Sequence, residues 1–163
     1  MDGRNNNNEP LIKSYSISQM YSLYSSNKLI VNRRYQRKLC WTIEEKRNFI
    51  DTIMNGLPVP MLLFAENSDG ELEIIDGMQR LDAICSLIEQ KYSLKSGFFD
   101  LETMPDTINL MRKGVLEQRG GKIPSDICRN IANYPLPVSI FSYSDPSRIE
   151  EAFKRINSTG RHL

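Results

Sequence analysis

The sequence predicts a mixed α/β (α+β) domain, and three observations carry that prediction. Apolar residues fall at i, i+3, i+4 and i+7 in three separate segments: Ile17, Met20, Tyr21 and Tyr24; Leu81, Ile84, Cys85 and Ile88; Ile149, Ala152, Phe153 and Ile156. Short β-type runs, Leu29–Val31, Met61–Ala65, Glu71–Ile75 and Leu136–Tyr143, are interleaved with them. Neither an internal repeat nor an interdomain linker breaks the chain, so one layered domain is expected.

Each element has its own signal. Residues 1–12 are polar at the start and carry four asparagines in a row; they read as a disordered leader, with the domain running from 13 to 163. Ser16 is an N-cap for the first helix. Thr42 and Glu45 form a capping-box pattern that opens a second helix, with Ile43, Phe49, Ile50, Ile53 and Met54 as its apolar face. Gly56 stops that helix, and Pro58 and Pro60 prevent it from resuming. Asn67-Ser68-Asp69-Gly70 is a turn between two strands, hence a hairpin. A third helix follows Asp76-Gly77 and runs to about Gln90. Residues 91–133 are less regular and read as a helical insertion, with helices near 106–118 and 125–131. Leu136–Tyr143 returns as a strand. Asp145 and Pro146 then cap and start the last helix, which ends at Asn157-Ser158-Thr159-Gly160.

Composition narrows the chemistry. A chain of 163 residues can bury a core without metals or disulfides, and its net charge of +1 says little about partners. No apolar run approaches the roughly 20 residues of a membrane span, and the polar N-terminus lacks the apolar core of a signal peptide. Cys40, Cys85 and Cys128 are far apart and lack metal-ligand spacing, as expected of reduced cysteines in a cytoplasmic protein. His162 is the only histidine and stands next to the last residue, which argues against a histidine triad or a zinc site.

Three constellations have chemical potential. In Asp76-Gly77-Met78-Gln79-Arg80, a strand runs straight into a helix. Free N–H groups and a partial positive charge at that helix start suit a phosphate. Arg80 would pair with it, Gln79 would reach a base, ribose or phosphate oxygen, and Asp76 would hold a metal-bound water, orient Arg80 or act as a base. The local alternative is that Asp76 caps the helix and pairs with Arg80 one turn on. Arg34-Tyr35-Gln36-Arg37 with Trp41 interleaves cations and aromatics, which suits phosphate backbones and stacked bases. The alternative is a solvated basic face with Trp41 plugging the core. Arg155-Ile156-Asn157-Ser158-Thr159-Gly160 is either an anion-binding loop or a plain helix C-cap.

Taken in order, these segments resemble the DUF262 family, which is similar to the ParB/sulfiredoxin superfamily. The matching stretches are Tyr35-Gln36-Arg37, Trp41, Ile50–Pro60, Ile75-Asp76-Gly77-Met78-Gln79-Arg80-Leu81, Leu136-Pro137-Val138, Phe153 and Arg155–Leu163. The family's central motif reads Asp-Gly-Gln-Gln-Arg-Leu. Here Met78 replaces the first glutamine, and methionine is a poor hydrogen-bonding group. The resemblance implies a small mixed sheet with helices around a nucleotide- or phosphate-binding groove. It implies a bacterial restriction or anti-phage role, as in the N-terminal domain of GmrSD-type proteins. There the domain would bind an NTP, with Mg²⁺ at Asp76 if it hydrolyses it, and would control action on DNA. The alternative is a non-catalytic module that senses nucleotide or DNA. Carried over, Asp76, Gln79 and Arg80 are the catalytic candidates. Gly77, Arg80, Arg34, Gln36, Arg37, Arg155, Asn157, Thr159 and Gly160 are the candidates for phosphate and nucleotide binding. A sulfiredoxin-type reaction is disfavoured, because its reactive cysteine would fall at Met78. No His-rich nuclease signature follows, so the chain is expected to be the N-terminal part of a longer protein, in which a missing C-terminal domain could make the DNA contacts.

Overall fold

A computed structural model describes residues 9–31 and 39–160, with side chains as far as residue 156. The mixed class holds. Strands β1 (Leu11–Ser16), β2 (Leu29–Ile30), β3 (Leu62–Glu66), β4 (Leu72–Asp76) and β5 (Pro135–Ser142) form one sheet in the order β1-β5-β3-β4-β2. The pairings β1–β5 and β3–β4 are antiparallel, whereas β3–β5 and β2–β4 are parallel. Helices α1 (Ile17–Ser25), α2 (Ile43–Met54), α3 (Met78–Ile88), α4 (Pro105–Arg112), α5 (Ser125–Asn133) and α6 (Ser147–Gly160) surround it.

The sheet divides two cores. Leu62, Phe64, Ile74, Leu136, Val138 and Ile140 join the larger one, with Ile17, Met20, Ile50, Leu81, Ile84 and Cys128 from the helices. Ala65 and Ile75 point to the opposite face, where Ile149, Phe153 and Ile156 of α6 cover them. Alternation along a strand is what lets one sheet feed both layers.

Local chemistry sets the helix ends. Ser16 with Gln19, and Thr42 with Glu45, close complete capping boxes on α1 and α2. Thr42→Ala removes one of them and is expected to cost about 1 kcal/mol in a urea titration. At the other ends, α1 to α4 share one device. In each, a residue in the left-handed region ends the helix: Asn27, Gly56, Gln90 and Gly114. In α2, the N–H of Gly56 bonds to the carbonyl of Ile53 and that of Leu57 to Thr52, a Schellman pattern. Gly114 does the same for α4, so that helix ends at Arg112 rather than continuing to residue 118.

Gln90 is the unusual member, because glycine and asparagine enter the left-handed region readily whereas glutamine is strained there. Its buried side chain explains its presence. Nε2 donates to the carbonyl of Glu117 at 3.3 Å, and Oε1 accepts from the N–H of Arg119 at 2.7 Å. Gln90 thereby ties the insertion to the end of α3. Tyr92 adds a second tie, its hydroxyl donating to the carbonyl of Ala83 at 2.6 Å.

Two sequence expectations shift. Strand β1 begins at Leu11, inside the segment read as leader; it is an exposed edge strand, so the alternation that marks a strand is absent. Ile43 lies at the first helical position of α2 and is 49% exposed, so it does not belong to that helix's buried face.

Burial also shapes the response to alkali. Desolvation, the larger cause, and the Glu89 carboxylate push the Tyr21 phenol well above its usual range, and desolvation does the same for Tyr92. A phenol whose folded pKa is raised contributes stability that is intact below pH 10 and lost as pH rises above it. Unfolding midpoints are therefore expected to fall from about pH 10 upward, with the Tyr21 and Tyr92 phenols ionising together with unfolding rather than before it.

Candidate functional site

The strand-to-helix seam is shaped by an irregularity in the sheet. Phe64 pairs with Ile74 and Leu63 with Asp76, so β4 carries one extra residue, Ile75, just before the seam. Such bulges bend a strand and re-aim the residues beyond them. Asp76 ends the strand with its side chain half exposed. Gly77 then takes φ 105° and ψ 14°, and its carbonyl accepts the first helical bond, from the N–H of Leu81.

Only glycine fits here. A Cβ on Gly77 would lie 2.3 Å from Leu62 Cδ2 and 3.1 Å from Arg80 Nη2. The missing side chain is what lets Arg80 fold back across the turn. Its Nη2 donates to the carbonyl of Met61 at 3.1 Å and lies 3.7 Å from Asp76 Oδ2. Its Nε is buried and has no hydrogen-bond partner among the described residues. Burial lowers the Arg80 pKa from its usual value, and the neighbouring Asp76 opposes that shift in part. A buried donor without a partner is rare and calls for an explanation, such as a ligand.

The helix start is open as well. Unlike α1 and α2, α3 has no side-chain cap. Asp76 therefore pairs with Arg80, as the local reading held, but it does not cap the helix as that reading also held. The reason is its place on the strand, one residue before the Gly77 cap position. Met78 turns onto the larger core and is half buried there.

Gln79 reaches across to the next element. Its Oε1 accepts from the N–H of Trp41 at 3.3 Å, and its Nε2 donates to Cys40 Sγ at 3.5 Å. Trp41 itself is partly buried and packs edge-on against Phe49, ring centroids 5.7 Å apart. The chain that leaves the basic segment is therefore fastened to the motif. At the other side of that segment, Ile30 lies beside Glu73 in the sheet. Arg34, Gln36 and Arg37 lie outside the described residues.

The third constellation is helical rather than a loop: α6 continues through Gly160. Arg155 pairs with Glu151 one turn back at 3.1 Å. The side chains of Asn157, Thr159 and Gly160 lie outside the described ones. Sequence reasoning passed over Glu73, a carboxylate 8% exposed in the middle of β4 and on the same face as Ile75. Its signal was a charge inside an otherwise apolar run, Leu72-Glu73-Ile74-Ile75.

The arrangement excludes cysteine chemistry at the two buried thiols. Cys85 is 1% exposed, and burial pushes its pKa well up; Cys128 is shifted the same way. A protonated buried thiol is a poor nucleophile. Among the described residues no three His, Cys, Asp or Glu side chains stand together to hold a metal, and no helix is long and apolar enough to cross a membrane. What remains is an open helix start, an arginine with an unused donor and one half-exposed carboxylate.

No curated protein and no solved structure matches the chain. The family model described as "GmrSD restriction endonuclease, N-terminal domain" matches residues 17–163, which include every part of this seam. The chain belongs to the family of GmrSD restriction endonuclease N-terminal domains.

Proposed function

We propose that this domain binds a nucleoside triphosphate at the start of α3, and that the bound state controls what a restriction protein does to DNA. The observation that carries the reading is the buried, unpartnered Nε of Arg80 beside an uncapped helix start. Phosphate oxygens would satisfy both, since helix N-terminal amides and a guanidinium fork each donate well to phosphate. Asp76, at 3.7 Å, is a loose partner that an incoming phosphate would displace from Arg80. Gln79 holds the Trp41 segment at the rim of the site. Arg34 and Arg37 precede that segment in the chain and would add positive charge, with Gln36 between them as a neutral hydrogen-bonding group.

Mg²⁺ fits this site only as a companion of the nucleotide. Asp76 is the carboxylate at the seam, and Mg²⁺ commonly sits on one or two carboxylates plus phosphate oxygens. Bound there, it would neutralise phosphate charge as hydrolysis proceeds. Asp76 would hold it or a water of its shell.

A second reading, nucleotide sensing without hydrolysis, is favoured by the lack of a multi-carboxylate cluster among the described residues. Phosphate release separates the two. A hydrolysing domain releases phosphate in a Mg²⁺-dependent reaction that Asp76→Asn abolishes while nucleotide still binds. A sensor binds nucleotide and releases none. If calorimetry detects binding of no NTP, both readings fail.

A further inference from the structure

The insertion carries a charge asymmetry that the nucleotide site does not use. Between residues 91 and 122, Lys91, Lys95, Arg112, Lys113, Arg119 and Lys122 are all exposed. Of the four acids in the same stretch, Asp100 is buried and Asp106 is half buried, which leaves only Glu102 and Glu117 exposed. The whole chain is close to neutral, so this is a local excess.

The cations are held on a preformed surface. Leu94 and Gly97 exchange two backbone bonds, which puts Lys95 at the tip of a tight turn. The following backbone is pressed onto a second loop. Phe98 N–H donates to the carbonyl of Gly121 at 2.6 Å, and Ile123 N–H donates to the carbonyl of Phe98 at 2.8 Å. Gly97 is required by this contact, because a Cβ there would lie 2.0 Å from the Gly121 carbonyl oxygen. Arg119 lies over the Phe98 ring at 5.5 Å, and its N–H is fixed by Gln90, next to Lys91. Lys122 is bridged to Phe98.

These cations are weakly engaged. Lys91, itself exposed, meets the partly buried Glu89 at 3.5 Å, and Lys122 meets Glu102 at 3.9 Å across exposed surface. Such pairs contribute little and exchange readily for another anion. Gly120 and Gly121 are exposed and leave the backbone open to close approach.

We propose that this loop pair, Lys91–Phe98 with Arg119–Lys122, is a contact surface for the phosphate backbone of duplex DNA. Cations carried on two loops joined by backbone hydrogen bonds suit a polyanion, and the restriction activity named for the family makes DNA the polyanion at hand. The assigned contacts are to phosphates, which carry no sequence information, so the binding expected is sequence-independent. The assignment stands apart from the α3 site and does not depend on it.

The test is fluorescence anisotropy with a labelled duplex over a salt series. Wild type is expected to bind, with a log–log salt slope of about −0.9 for each phosphate contacted and therefore about −3 for three or four contacts. The Lys95→Glu/Lys122→Glu pair is expected to weaken binding by about tenfold or more at low salt and to flatten that slope by about two units. The Lys13→Glu/Lys28→Glu pair reverses the same charge elsewhere on exposed surface and is expected to leave affinity nearly unchanged. Equal losses in the two pairs would reduce the effect to net charge and overturn the proposal, as would unchanged binding by the loop variant or no binding by the wild type. Binding to phosphatidylserine vesicles with none to DNA would overturn it in favour of a membrane. NTP-dependent thermal shifts, read on the same loop variant, remain at the wild-type value. A failure at the loops is thereby distinguished from a failure at α3.

Discussion

Replacing Gly77 with alanine is expected to destabilise the domain by about 3 kcal/mol, the sum of a strained positive φ and an overpacked contact. At φ 105° the backbone resists any side chain, and the new methyl group would meet Leu62 at the front of β3. Leu62 is 2% exposed and packed in the larger core, so it has little room to yield. For a domain of this size the midpoint is expected to drop by about 10 °C. Gly70→Ala is the matched control. It also has a positive φ, of 81°, but meets nothing within 4 Å. That variant is expected to lose only about 1 kcal/mol. Equal losses in the two variants would show that the crowding between β3 and α3 is not what Gly77 relieves.

Arg80→Ala is expected to separate binding from folding. Its guanidinium is largely buried, bonds to one carbonyl and leaves Nε unpaired, so its net contribution to the free fold is small. Stability without ligand is expected to change by about 1 kcal/mol or less. The response to nucleotide is expected to vanish. Arg80→Lys is not expected to restore it, because an ammonium cannot present two parallel donors to a phosphate. If Arg80→Ala keeps the full nucleotide response, Arg80 is a structural residue and its unpaired donor has another cause.

Much of the fold was legible because it is written locally. The Ser16 cap, the Thr42–Glu45 capping box, the Gly56 stop, the Asn67–Gly70 turn and the inward stripe of α3 involve residues within a few positions of one another. What escaped depends on tertiary neighbours. Strand β1 has no alternating pattern because only its pairing with β5 makes it a strand. Helix α3 buries Ala83, Ser86 and Leu87 as well as its apolar stripe, since the Tyr92 segment folds back along it. Gly114 was a readable helix stop that the apolar pattern of 106–118 masked.

The site divides the same way. Asp76, Gly77, Gln79 and Arg80 are adjacent in sequence, and their meeting at one seam was readable. The turn of Arg80 back to Met61 was not, because it depends on the space that Gly77 leaves. Nor was the role of Met78. Met78 packs partly buried against the larger core, a contact that comparison with the motif does not reveal. Glu73 was hidden by an apolar run that made the whole of β4 look featureless.

The central claim is that the start of α3 receives nucleotide phosphates. Its most direct test is a thermal-shift panel of the four NTPs, each with and without Mg²⁺, on the wild-type domain. At about 100 times the dissociation constant, a bound nucleotide stabilises by roughly 2.7 kcal/mol, which corresponds to a midpoint rise of several degrees. At least one NTP is predicted to give that rise, and Arg80→Ala to abolish it. A midpoint that no NTP moves, with or without Mg²⁺, would contradict the claim.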